Sequence, residues 1–94
     1  MYQVSYYDAY FDKYERGLKY DTYAAAYAAV YHDFMNTTDT DITAAYISWR
    51  DDGIIYERGF IIDTDRGEWV DMDSREPIPA PIPAVVRTPK EQER

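Results

Sequence analysis

Carboxylates are the groups this sequence offers most freely for chemistry, and their spacing decides what they could do. Asp39-Thr40-Asp41 and Asp63-Thr64-Asp65 open like a calcium loop. An EF-hand needs an acid or amide at the fifth position, Gly at the sixth and Glu at the twelfth. Counting from Asp63, the fifth residue is Gly67 and the sixth Glu68; from Asp39 the sixth is Ala44. Neither run fits, and both read as turn acids. His32 is the only histidine. It lies on the polar flank of a helical stretch near its C-terminal end, where an imidazolium suits the helix dipole. No Gly-x-Ser-x-Gly run presents a nucleophile. The four glycines form no phosphate-cradling loop. With no cysteine there is no thiolate nucleophile, thiolate metal site or disulfide. The expectation is a protein without catalytic residue, metal or cofactor, and not an enzyme.

What remains is charge and aromatic surface. Eighteen acids face ten bases, a net charge of −8. Self-repulsion of that size favours solubility and a basic partner, and argues against binding bare nucleic acid or an anionic membrane. Asp51, Asp52, Glu57, Asp63, Asp65, Glu68, Asp71 and Asp73 crowd the stretch from 51 to 73 and are the candidate partner-binding residues. Carboxylates held on a rigid sheet can imitate the regular charge of a nucleic-acid backbone, and Tyr or Trp edges among them can imitate bases. Such a decoy would be steered into a basic groove. This requires the acids to gather into one continuous patch; interleaved with Arg50, Arg58 and Arg66, they would be only a solvated face.

The elements that must position these groups are legible in part. Tyr23, Tyr27, Val30, Tyr31 and Phe34 recur at spacings of three and four, with alanines between them. This predicts an α-helix over 22–35 with Asp21 or Thr22 as its cap and Asn36 at its end. Ile42 to Trp49 alternates as a strand, with Thr43, Ala45, Ile47 and Trp49 on one face and Ile42, Ala44, Tyr46 and Ser48 on the other. Asp52-Gly53 supplies the positive-φ residues of a tight hairpin, Ile54 to Ile62 returns, and Glu68 to Met72 adds a third strand. Residues 42–72 therefore read as a meander. The first twenty residues fit either a strand and helix or a hairpin of 2–8 and 13–20. An echo bears on the choice: Tyr14-Glu-Arg-Gly17-Leu18-Lys-Tyr-Asp21-Thr22 matches Tyr56-Glu-Arg-Gly59-Phe60-Ile-Ile-Asp63-Thr64 at six of nine positions. The second copy is rich in strand formers, which favours the hairpin, with Gly17 and Gly59 as bulges or close-approach points.

The expected fold is α+β: a four- to five-stranded antiparallel sheet with one main helix (22–35) on one face. Val4, Ile47 or Tyr46, Ile55 and Ile61 are its inward candidates. One domain spans 1–76. Pro77-Ile-Pro79-Ala-Pro81-Ile-Pro83 cannot be helix or central strand and begins an extended, proline-rich C-terminal arm and charged tail, 77–94, read as a strap on the domain. Eleven tyrosines imply a thin core whose aromatic edges keep their hydroxyls wet. The N-terminus lacks the basic and apolar segments of a signal peptide, and no apolar run nears the ~20 residues of a membrane span, so a cytoplasmic protein is expected.

In size, acidity, tyrosine content and lack of a catalytic set, the chain resembles small phage-encoded inhibitors of the anti-CRISPR and antirestriction type. The resemblance is one of overall character. It implies a stoichiometric, non-enzymatic inhibitor, an acidic nucleic-acid mimic that occupies the basic nucleic-acid-binding surface of a host defence complex in the host cytoplasm. The alternative reading is a protein–protein interaction module or a homodimer with no catalytic activity.

Overall fold

The computed structural model describes residues 1–36 and 40–81. In chain order they form β1 (Tyr2–Asp8), β2 (Lys13–Tyr20), α1 (Tyr23–Asn36), β3 (Ile42–Asp51), β4 (Ile54–Asp63) and β5 (Glu68–Asp71). The strands make one antiparallel sheet of five in the order β2-β1-β3-β4-β5. The fold is thus α+β, and the first twenty residues are a hairpin. Both β2 and β3 run antiparallel to β1, so α1 carries the chain across β1 and packs on one face of the sheet.

Thr22 caps the helix, its Oγ1 accepting the Ala25 N–H at 3.1 Å. Ala26, Val30 and Phe34, four apart, are its buried line. Tyr23 and Tyr27 pack at the margin of that line, and the Tyr27 hydroxyl donates to the Pro79 carbonyl. At the other end the Asn36 side chain donates to the His32 carbonyl. Facing the helix are Val4, Ala45, Ile47, Phe60 and Trp69. Phe34 stacks flat on Trp69 with centroids 3.5 Å apart, tying helix to sheet edge. Val4 and Ile47 take the inward places expected of them. Ile55 and Ile61 do not: Phe60 pairs with Ala45 and faces the helix, which turns its neighbour Ile61, and Ile55 and Tyr46 by the same alternation, to the opposite face.

One device closes three of the turns. Asp8, Asp63 and Asp71 each end a strand, and each Oδ1 accepts the backbone N–H groups two and three residues on. These Asx contacts satisfy turn donors that the ladder leaves free. The β3–β4 turn instead uses Asp52 and Gly53, with φ of 52° and 78°, the pair of positive values a two-residue hairpin needs.

Packing continues beyond residue 76. Pro77 bridges Val70 at the edge of β5, Ile78 donates its N–H to the Trp69 carbonyl at 3.2 Å, and its side chain rests on the core. The first residues of the arm therefore cover the β5 edge, with proline where no ladder donor is required. The remainder of the arm and tail, 82–94, and Asp39 of the 36–41 connection lie outside the described residues. Among the described residues no helix is long and apolar enough to cross a membrane.

Candidate functional site

The carboxylates expected to act together are divided by the sheet. Asp51 and Asp52 sit exposed at the β3–β4 hairpin tip. Asp63, Asp65 and Glu68 surround the β4–β5 turn. The 10 residues of β4 separate these groups by about 30 Å at ~3.3 Å per residue. Arg66 lies inside the second group, 2.9 Å from Glu68 and 4.0 Å from Asp63. Asp71 is buried on the helix side, where its Oδ2 accepts from Arg58 Nη2 at 2.8 Å and Nε at 3.1 Å. Burial alone would raise the Asp71 carboxyl. The Arg58 bond and the N–H groups of Ser74 and Asp73 outweigh burial and hold it below the usual range. Asp73 follows in the turn that Asp71 closes, and Glu57 stands alone near the middle of β4. These residues make no continuous acidic patch: two groups lie at opposite ends of a strand, and Asp63, Glu68 and Asp71 have arginine partners.

His32 is exposed, and Asn36 Nδ2 lies 2.9 Å from its Nδ1. Among the described residues no group of three His, Cys, Asp or Glu side chains could hold a metal ion.

The sheet face turned away from α1 gathers a different set of groups. Register places Tyr14, Tyr7, Ala44, Ile61 and Val70 side by side across the five strands. The next row runs Arg16, Ser5, Tyr46 and Gly59, with Met72 over the glycine. Then come Lys19, Gln3, Ser48 and Glu57, and finally the Arg50–Ile55 pair. The Tyr7 and Tyr14 ring centroids are 5.1 Å apart, and those of Tyr14 and Tyr46 are 5.7 Å apart. Tyr14 is 65% exposed. Beside these rings lies a shallow concavity of about 370 Å³, bordered by Arg16, Lys19 and Arg50 with Gln3, Ser48 and Ile55. Among the described residues none of the three cations forms a salt bridge, whereas Arg58 and Arg66 both do.

A bulge makes this arrangement. Opposite Gln3 and Ser5, two apart on β1, stand Lys19 and Arg16, three apart on β2. The extra residue brings Arg16 and Lys19 to one face; in a regular strand an odd separation would place them on opposite faces. Gly17 sits at the bulge, where a Cβ would be 3.3 Å from both the Val4 carbonyl oxygen and the Tyr6 ring. Gly59 has a similar role: a Cβ there would lie 2.9 Å from Met72 Sδ. Both echoed glycines are close-approach points, as expected, yet the repeats do not present equivalent side chains. Arg16 points to the open face and Arg58 to Asp71 on the helix side. Tyr7, Tyr14, Tyr46, Arg16, Lys19 and Arg50 were not among the candidate partner-binding residues, all of which were acids. The one local signal was the glycine of the echo.

No protein-family model, curated protein or solved structure matches the chain.

Proposed function

We propose that this protein is a non-catalytic binding module that works through the sheet face opposite its helix. The observation that carries this is a concavity bordered by three cations without salt-bridge partners, with three tyrosine rings in the adjoining rows of the same sheet face, which no other described element covers. Of the other described arginines, Arg58 and Arg66 are paired with carboxylates in place, and Arg75 stands exposed in the turn after β5. Rigid aromatic rings beside polar groups are the kind of surface on which binding energy concentrates.

A second reading is favoured by the hairpin tip. Asp51 and Asp52 are exposed there without an ion pair, beside Ile54, Ile55 and Tyr56, which are 55%, 66% and 41% exposed. A projecting apolar tip with a carboxylate rim suits a basic groove. On this reading the protein is the acid-led inhibitor that its overall character implies, and occupies the nucleic-acid-binding surface of a host defence complex. Its charge then comes from Asp51 and Asp52 rather than the whole meander.

Two variants separate the readings. Ser5→Glu/Ser48→Glu places carboxylates in the middle of the face without touching the core. Asp51→Lys/Asp52→Lys reverses the tip. Immobilised proteins are compared for what they retain from a bacterial lysate at low and high salt. If the face binds, the first variant loses the wild-type captures and the second keeps them. The opposite pattern assigns binding to the tip. Unchanged capture by both rejects both readings, with thermal unfolding as the control for intact folding.

A further inference from the structure

We infer that the open face takes a single-stranded nucleic acid, its bases against Tyr14, Tyr46 and Tyr7 and its phosphates against Arg16, Lys19 and Arg50. The inference rests on the binding-face reading above and names its ligand class. Three features lead to it. Rings standing on a sheet surface offer flat apolar platforms, and every base has a π-face to lay on one, so such stacking tolerates any sequence. Arg16 shares the row of Tyr46, and Lys19 and Arg50 lie one and two rows further from Tyr14 and Tyr7, on β2 and β3, so a strand running along the face from Tyr14 would meet rings first and then charges. Ser48 lies between the cations and adds a hydroxyl suited to sugar and phosphate oxygens, while the Gln3 amide donates to the Val4 and Gly17 carbonyls and holds the bulge.

The protein's net charge of −8 opposes any polyanion at long range. At 0.1 M salt the Debye length is about 10 Å, and the Asp63–Glu68 turn lies beyond that from the basic rows and carries Arg66 as its own counter-charge. Glu57 lies in the Lys19 row but two strands beyond Gln3, Asp51 and Asp52 follow Arg50 at the hairpin tip, and Asp12 accepts from the Tyr7 hydroxyl, so the acids lie nearest Arg50 and Tyr7 and furthest from Arg16 and Lys19. The field at Arg16 and Lys19 therefore favours an anion although the molecule as a whole does not. Duplex fits poorly: the stacked interior hides base faces, and a shallow concavity does not enter a groove.

The test is fluorescence anisotropy with labelled 12-mers of oligothymidylate and oligouridylate, a 12-base-pair duplex and a polyglutamate peptide. Three phosphate contacts at a slope of about −0.7 each predict a log–log salt slope near −2, roughly a 16-fold loss of affinity between 50 and 200 mM salt. Tyr14→Ala should weaken binding by about fivefold or more, the lower end for a lost base stack. Arg16→Glu/Lys19→Glu should remove binding, with the milder Arg16→Gln/Lys19→Gln used if the first variant unfolds. The DNA and RNA arms identify which backbone is preferred. Any of four results overturns the proposal: no single strand bound at 100 μM protein in 50 mM salt; polyglutamate or duplex bound as well as single strand; no effect of Tyr14→Ala; or a stable dimer by sedimentation that Ser5→Glu/Ser48→Glu dissolves, which would give the face to a second copy. If oligonucleotides fail while Ser5→Glu/Ser48→Glu still loses its lysate partners, the ligand class falls and the binding face stands.

Discussion

Replacing Asp71 by alanine should be the costliest single change among the acids. Its Oδ2 takes two N–H groups of Arg58, and its Oδ1 takes those of Asp73 and Ser74. Hydrogen bonds to a charged group contribute about 1.5–3 kcal/mol when shielded. The Arg58 side chain is 47% exposed, so water screens its share down to about 1 kcal/mol. The two turn N–H groups lose their acceptor at a further ~1–2 kcal/mol, which gives a loss of about 2–3 kcal/mol. In a domain of this size that lowers Tm by roughly 10–20 °C. Asp71→Asn keeps the Oδ1 contacts and loses the charge, and should cost about 1 kcal/mol. Urea unfolding followed by tryptophan fluorescence measures both. Because the folded carboxyl lies below its ordinary value, near 4, its stabilisation is full above that pH and is lost as pH falls through the folded value. The stability gap between wild type and Asp71→Asn should therefore begin to close as pH falls below about 4 and vanish once pH is below the folded value. An alanine variant within about 0.5 kcal/mol of wild type, or an asparagine gap that does not narrow as pH falls below about 4, would show that the Asp71 carboxylate does not stabilise the fold.

Three further outcomes are expected. Gly59→Ala pushes a Cβ to within 2.9 Å of Met72 Sδ and 3.2 Å of Tyr46 Cε1 and should destabilise by about 1–2 kcal/mol, with Met72→Ala restoring most of it in denaturant titrations. Thr22→Ala removes the cap on Ala25 and should cost about 1 kcal/mol, visible as a lower Tm by circular dichroism. Burial first, and then the bond to Asp33, push the Tyr6 hydroxyl well above its ordinary value. Its contribution is complete below about pH 10 and is lost as pH rises through the folded value. Ultraviolet titration should show Tyr6 ionising only with alkaline unfolding, and Tyr6→Phe should remove that component and move unfolding to a different pH.

The parts of the fold that sequence made legible are those fixed by local chemistry. The 22–35 stripe needed only helical period and a cap, and Asp52-Gly53 needed only positive φ. The echo around Gly17 and Gly59 correctly placed a strand over 13–20. Facing was harder. Ile61 and Phe60 are both strongly apolar, and only their pairing with Ala44 and Ala45 decides which meets the helix. The acids looked like one group because they are close in sequence. A 10-residue strand then carried its ends far apart, while Asp63 and Asp71 became turn acceptors. The basic and aromatic face was hidden for the converse reason. Its groups come from β2, β1 and β3, brought together by non-local register and a one-residue bulge. Net charge, being a sum over the chain, says nothing of where the unpaired cations collect.

Binding by the face opposite the helix can be seen residue by residue. The most direct measurement is a ¹⁵N–¹H spectrum of the labelled protein titrated with the oligothymidylate 12-mer. Shifts are expected at the amides of Gln3, Ser5, Arg16, Lys19, Tyr46 and Ser48, with Thr64–Gly67 and the exposed side of α1 unmoved. Shifts confined to the Asp51–Ile54 tip, or no shifts at saturating oligonucleotide, would contradict it.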